Sequence, residues 1–149
     1  MNPGCLLVLG LALYGINPLE HVGSLTDPLH SPARLSIAAD GTVFVTDPDL
    51  NQIARYNSAG ALLGTWAVPE GPIGVAVHPD GRIFVSRRDD AQVGVYAADF
   101  TFLEFLGEGA VTFVMPTDID VDATSGHVYV VDAEADRVYG FDAGGVLSL

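Results

Sequence analysis

The chain has 149 residues, about the length of one domain, and 49% of them are hydrophobic, enough to bury a core. Its six basic residues are all arginine, against 19 acidic ones, for a formal charge of -13. A field of that sign repels phosphate backbones and anionic lipid, which argues against nucleic acid and membrane surfaces as partners and leaves cationic, neutral or divalent-metal partners open.

Residues 1–16 form an apolar N-terminal segment. Its run CLLVLGLALYGI (5–16) is too short to span a bilayer as a helix but has the length of the apolar region of a signal peptide, so export to a periplasmic or extracellular space is expected. The signal is weak: MNPG carries no lysine or arginine, and Ala12 and Tyr14 stand where two small residues would precede cleavage. An uncleaved anchor and a truncated gene are the alternatives. Cys5 is the only cysteine, which excludes an intramolecular disulfide and a cysteine zinc site. It precedes the apolar run, whereas a lipoprotein cysteine would follow it.

From residue 17 to 149 the chain is self-similar. Three units, approximately 32–71, 72–115 and 116–149, place Pro32, Pro72 and Pro116 in register, then Gly41, Gly81 and Gly126, then Asp47, Arg87 and Asp132, then Tyr56, Tyr96 and Phe141. Each unit reads as four short strands. An inner one (LSIA, GVAV, DIDV) leads through a tight turn to VFV, IFV or VYVV, then to QIARY, QVGVY or RVYGF, then to an outer one (ALLGTW, TFLEFLG, VLSL). The composition is β-branched and aromatic, bounded by DG or SG turns, with little helical periodicity. A tandem four-stranded unit of about 40 residues is the mark of a propeller blade, which buries both faces against its neighbours. The expected fold is therefore all-β, with about three blades of four antiparallel strands. LEHVG (19–23) reads as the outer strand of a preceding blade, because HVGSLTDPLHSP matches FLGEGAVTFVMP in its glycine-to-proline spacing.

The pattern P-x-G-[VI]-A-V, then D-G-x-[IV]-[FY]-V-x-D, then N-x-[RQ]-[IV]-x-x-[FY] resembles the NHL repeat over residues 22–149. That family forms six-bladed propellers related to the lactonase and low-density-lipoprotein-receptor types. The resemblance implies a fold more than a chemistry, since the matching residues build strands and turns. Three blades make half of such a ring and leave two apolar faces bare. A second copy completing the ring with twofold symmetry, a fragment of a longer gene, and an open or unstable chain are the three ways to read this.

The charged candidates follow from repeat position. Asp118, Asp120 and Asp122 alternate like the start of a calcium loop, but the sixth and twelfth positions are Ala123 and Tyr129 where glycine and glutamate are required. Asp118 and Asp120 are instead placed on an inner strand, in the slots of Arg34/Gly74 and Ser36/Ala76, lining or approaching the central channel. A carboxylate there needs a partner, and Arg34 qualifies if ring closure brings it near. Asp47 and Asp132 are expected to bind the amides of the turn that follows them. Arg87 and Arg88, in SRRDD, are the one basic cluster and a candidate anion or partner contact, unless Asp89 and Asp90 neutralise it.

His78 and His127 flank the inner turns and are expected to face solvent. No zinc spacing is present among the four histidines, and none of Asn2, Asn17, Asn51 and Asn57 falls on an inner strand, as the metal site of a gluconolactonase-type propeller would require. The resulting expectation is a noncatalytic binding or scaffold module that presents inter-strand loops to a protein or small ligand, with candidate ligand contacts at Arg34, Arg87, Arg88, Asp118 and Asp120. No cofactor is expected, with a divalent metal such as calcium left open. The alternative is a fragment of a propeller enzyme of the metal-dependent lactone hydrolase or lyase type.

Overall fold

The computed structural model describes residues 23–25 and 28–149. The apolar segment 1–16 and nearly all of LEHVG lie outside the described residues. Three antiparallel sheets follow one another. The first holds β1 (Leu35–Ile37), β2 (Val43–Asp47), β3 (Gln52–Tyr56) and β4 (Leu62–Ala67). The second holds β5 (Pro72–Val77), β6 (Ile83–Arg87), β7 (Gln92–Tyr96) and β8 (Phe102–Phe105). The third holds β9 (Pro116–Val121), β10 (Val128–Asp132) and β11 (Arg137–Phe141). A 3-10 turn, Pro48–Leu50, joins β2 to β3.

The pairing is the simple meander that short turns permit: each strand bonds only its sequence neighbours. Gly41, Gly81 and Gly126 take φ of 84°, 92° and 73° and close the first turn of each sheet, a conformation that side chains resist. The second turn repeats as well, with Asn51, Ala91 and Asp136 at φ of 49°, 53° and 52°.

Alternation along the strands decides what is buried. Val75, Ile83 and Val85 face the first sheet and join Phe44 and Ile53 in one cluster. Ala76, Phe84, Val93 and Val95 face the third sheet and join Ile119, Val128, Val130 and Phe141 in another. Each aliphatic or aromatic side chain so enclosed contributes about 1.5–3 kcal/mol, so the two junctions hold the three sheets together. A third cluster, Val45, Ala54 and Tyr56, lies on the far side of the first sheet and is covered by Leu25 and Leu29.

The third sheet departs from expectation, for VLSL does not form a fourth strand. Residues 146–149 run beside β11 through one isolated bridge, Phe141 to Leu147. Ser148 and Leu149 then both donate to the Gly140 carbonyl, at 2.7 and 3.1 Å, so one acceptor takes two bonds and no regular ladder propagates.

Candidate functional site

Asp47 and Asp132 end the second strands of their sheets and are almost wholly buried. Each binds the turn that follows, as expected from an aspartate side chain: Leu50 N–H donates to Asp47 at 3.3 Å and Ala135 N–H to Asp132 at 3.3 Å. Each also holds the segment entering its inner strand. His30 and Ser31 donate backbone N–H to Asp47, and Val114 and Met115 donate to Asp132 at 2.8 Å each. The carboxylates thereby pin two rim loops at once. Repeat position alone did not show this second role, because the donors lie 16 to 18 residues upstream.

In the second sheet the same slot holds Arg87, which meets its rim differently. It pairs with Asp90 and lies 5.2 Å over the Phe105 ring. Burial pulls the Arg87 guanidinium down, but hydrogen bonds to Asp90 and Tyr96 outweigh it and hold the group above its ordinary value. Arg88 bonds Asp89 at 3.0 Å, both half-exposed. SRRDD is thus a self-neutralised pair of ion pairs, and its loop is tied to the one preceding β5 by Arg88 N–H and Asp89 N–H donating to Gly71 and Glu70 carbonyls at 3.0 and 3.1 Å.

Near the axis the inner strands converge. A Cβ on Gly74 would stand 2.6 Å from Ser86 Oγ and 3.1 Å from Asp118 Cα, so only glycine permits the approach of β5 to β9. That approach brings Arg34 Nε to within 3.4 Å of Asp118 Oδ2, from the first sheet to the third. Ring closure is not needed for the pair, contrary to expectation, because β1, β5 and β9 already curve around a common axis. Asp118 and Asp120 also accept the N–H of Ile119 and Val121, at 3.1 and 2.9 Å. Asp120 is exposed and lines a polar groove of about 320 Å3 together with its sister positions Ser36 and Ala76.

His78 corrects the sequence reading. It is 7% exposed, and its Nε2 lies 3.0 Å from the Gly126 carbonyl, so it seals the junction between the second and third sheets. It also contacts Asp80 at 2.7 Å. Burial pushes the Asp80 carboxyl up, yet Arg82 N–H, the Arg82 guanidinium and His78 together hold it below its ordinary value. Histidine stands here because a turn glycine of the next blade offers it a carbonyl, a contact that repeat spacing does not reveal. Among the described residues no group of three or more His, Cys, Asp or Glu is placed to hold a metal ion. Asp118 and Asp120 do not supply the six to eight oxygens that calcium takes.

Three meandering sheets packed face to face around an axis define a β-propeller. No family model matches the chain, and no curated protein matches it. Solved structures do, and those neighbours are six-bladed β-propellers. The chain is similar to virginiamycin B lyase from Staphylococcus aureus, at 15% identity and a TM-score of 0.63 over 78% of this chain and 40% of that one. It is similar to a gluconolactonase from Xanthomonas campestris at 23% identity and 0.64, covering 87% of this chain and 49% of that one. It is also similar to regucalcin, a calcium-binding protein from Agrobacterium tumefaciens, at 18% and 0.55, covering 72% and 41%. The chain thus spans less than half the length of these neighbours, and at such identities the likeness concerns the fold alone.

Proposed function

We propose that the chain is a noncatalytic binding and scaffold module of NHL-like propeller repeats, presenting its rim loops to a protein or small ligand. The observation that carries this reading is how the charged groups are used. Asp47, Asp132, Asp118 and Asp120 bind backbone amides, Arg34 pairs with Asp118, and Arg87 and Arg88 pair with Asp90 and Asp89. The bonds of Asp47, Asp132, Arg87 and Arg88 hold rim loops, and those of Asp118 and Asp120 stay within the inner strand or reach Arg34; no acid, base and nucleophile converge on one pocket among these residues. The rim that Asp47 and Asp132 pin exposes Leu50 and Val114. A rigid rim loses little conformational freedom on binding, which favours recognition.

The two outward faces of the blade stack call for a protein partner, and a second copy has faces of the matching kind. Export to the periplasm or the cell exterior accords with the apolar run 5–16. The rival reading, part of a metal-dependent lactone hydrolase or lyase, is separated by melting the protein with calcium, zinc, magnesium and manganese. The scaffold reading expects no shift in Tm. A rise that Asp120→Ala removes would transfer the chain to the enzyme class.

A further inference from the structure

Arg55 and Phe100 both break the repeat, and they do so in one place. In register with Arg55 the other blades carry Val95 and Gly140, and in register with Phe100 they carry Gly60 and Gly145. Gly60 and Gly145 sit at φ of 81° and 83°, and Phe100 adopts φ of 71°, a conformation disfavoured for a bulky side chain. Strain of this kind persists where the side chain is held by something else. Here the Phe100 ring lies 4.3 Å from the Arg55 guanidinium carbon and 5.0 Å from the Trp66 ring.

The guanidinium is anomalous in its company. Arg34, Arg82, Arg87 and Arg88 each meet an aspartate, in a chain with a large surplus of carboxylates. Arg55 and Arg137 meet no acid among the described residues, but Arg137 is exposed to solvent whereas the Arg55 Nε is shut off from it with no acceptor. Arg55 has therefore lost part of its hydration without a counter-ion to replace it, which is costly for a cation. Beside it opens a groove of about 340 Å3 between the first and second blades, walled by Phe44, Leu63, Ile83 and Phe100. Opposite Arg55 on the next strand is Gly64, where a Cβ would stand 3.5 Å from Nη2, so this flank of the cation has no side chain against it.

We propose that this groove is a binding site for a small organic monocarboxylate with an apolar or aromatic body. The carboxylate replaces the missing counter-ion at the Nη edge of Arg55, and the body lies against Phe44, Ile83 and Phe100. Its volume is at the lower end of small-molecule sites, about 300–1,000 Å3. Asp40 also lines the groove and disfavours any negative charge on the ligand that Arg55 does not neutralise. The site lies on the edge of the blades carrying the Gly41 and Gly81 turns, away from the rim loops, and so stands independently of the scaffold reading.

The test uses the full chain and two probes of equal shape, 4-phenylbutyrate and 4-phenylbutanol, titrated by calorimetry or by ligand-detected NMR. The acid is expected to bind saturably and at least about tenfold more tightly than the alcohol, the factor one charge-assisted hydrogen bond supplies. Arg55→Met, which keeps the stem, is expected to erase that difference, Arg55→Lys to retain part of it, and Phe100→Gly to weaken both probes. Equal binding of acid and alcohol by the unaltered chain overturns the proposal, as does no saturable binding of the acid up to about 5 mM, or acid binding unchanged in a folded Arg55→Met protein.

Discussion

Arg34 reaches Asp118 across the axis, Nε to Oδ2 at 3.4 Å, although 84 residues and a whole blade separate them in the chain. Both side chains are nearly half exposed, at 47% and 46%, so solvent screens the pair and it contributes about 0.2–1 kcal/mol. A double-mutant cycle on Arg34→Ala and Asp118→Ala, followed by urea unfolding, should return a coupling of that size that shrinks in about 0.5 M salt.

Asp132 is expected to matter far more. It is 1% exposed and accepts three backbone amides. Asp132→Ala leaves those donors without their acceptor and should cost about 2–4 kcal/mol in chemical denaturation, whereas Asp120→Ala, at an exposed position, should cost less than about 0.5 kcal/mol. Similar costs for the two would contradict the assignment of Asp132 as a rim latch.

At Gly74 even a methyl group is excessive. Gly74→Ala brings a Cβ against Ser86 Oγ and the Asp118 backbone and should destabilise by about 1–3 kcal/mol. Adding Ser86→Ala removes only the side-chain clash, so rescue should be partial. Full rescue would mean that β9 yields freely, against the close packing seen at the axis.

Acid sensitivity follows from the inner and outer turns. Thr42 N–H and hydroxyl hold Asp40 below the ordinary aspartate value of 3.8, Thr101 does the same for Asp99, and the Ser125 hydroxyl and Thr124 N–H for Asp122. Asp80 is lowered in the net as well. A carboxyl whose folded value lies below its unfolded one stabilises the fold above the unfolded value, and that contribution is lost as pH falls through the folded value. The unfolding midpoint should therefore be flat with respect to these groups above about pH 5 and decline from about pH 4 downward. Asp80→Asn should make the decline shallower.

The partner reading concerns the two outward faces. Ala38 N–H donates to Thr42 and Thr46 N–H to Arg34, so alternation turns the amides of Leu35 and Ile37 away from β2, toward the axis. The equivalent amide in the second blade, Val77 N–H, donates to Ser36 Oγ of the first at 3.2 Å. Asp120 holds the Ser36 slot in the third blade, and Leu35 and Ile37, 60% and 62% exposed, hold the slots of Val75 and Val77. A second copy would bring its Ile37 N–H to Asp120 and its aliphatic pair to the exposed Val131 and Val138. Light scattering should then report twice the chain mass. Ile37→Arg and Val131→Arg should each abolish the dimer, while their mixture should retain one intact junction. A cooperatively folded monomer would end this reading.

Much of the fold was legible beforehand. Pro32, Pro72 and Pro116, the turn glycines and the closing aromatics mark strand and turn positions, and such local constraints repeat because each blade solves the same problem. VLSL misled because its composition is strand-like while its partner strand offers Gly140, whose one carbonyl takes two bonds. His78 misled because a residue flanking a turn is exposed in an isolated blade and covered in a stack.

By itself the sequence determined the all-β blade pattern, the order of the first three strands in each sheet and the side of each strand that must be apolar, since alternation and turn chemistry act over a few residues. Sequence reasoning anticipated the local partners, Asp47 and Asp132 with their turn amides and Arg87 and Arg88 with Asp90 and Asp89, while tertiary structure decided which charges meet over a distance. Arg34 found Asp118, Asp132 found the amides of Val114 and Met115, and Arg55 found an aromatic ring and no acid. Those outcomes depend on how blades meet, and electrostatic partners at 3 Å are set by that packing rather than by separation along the chain.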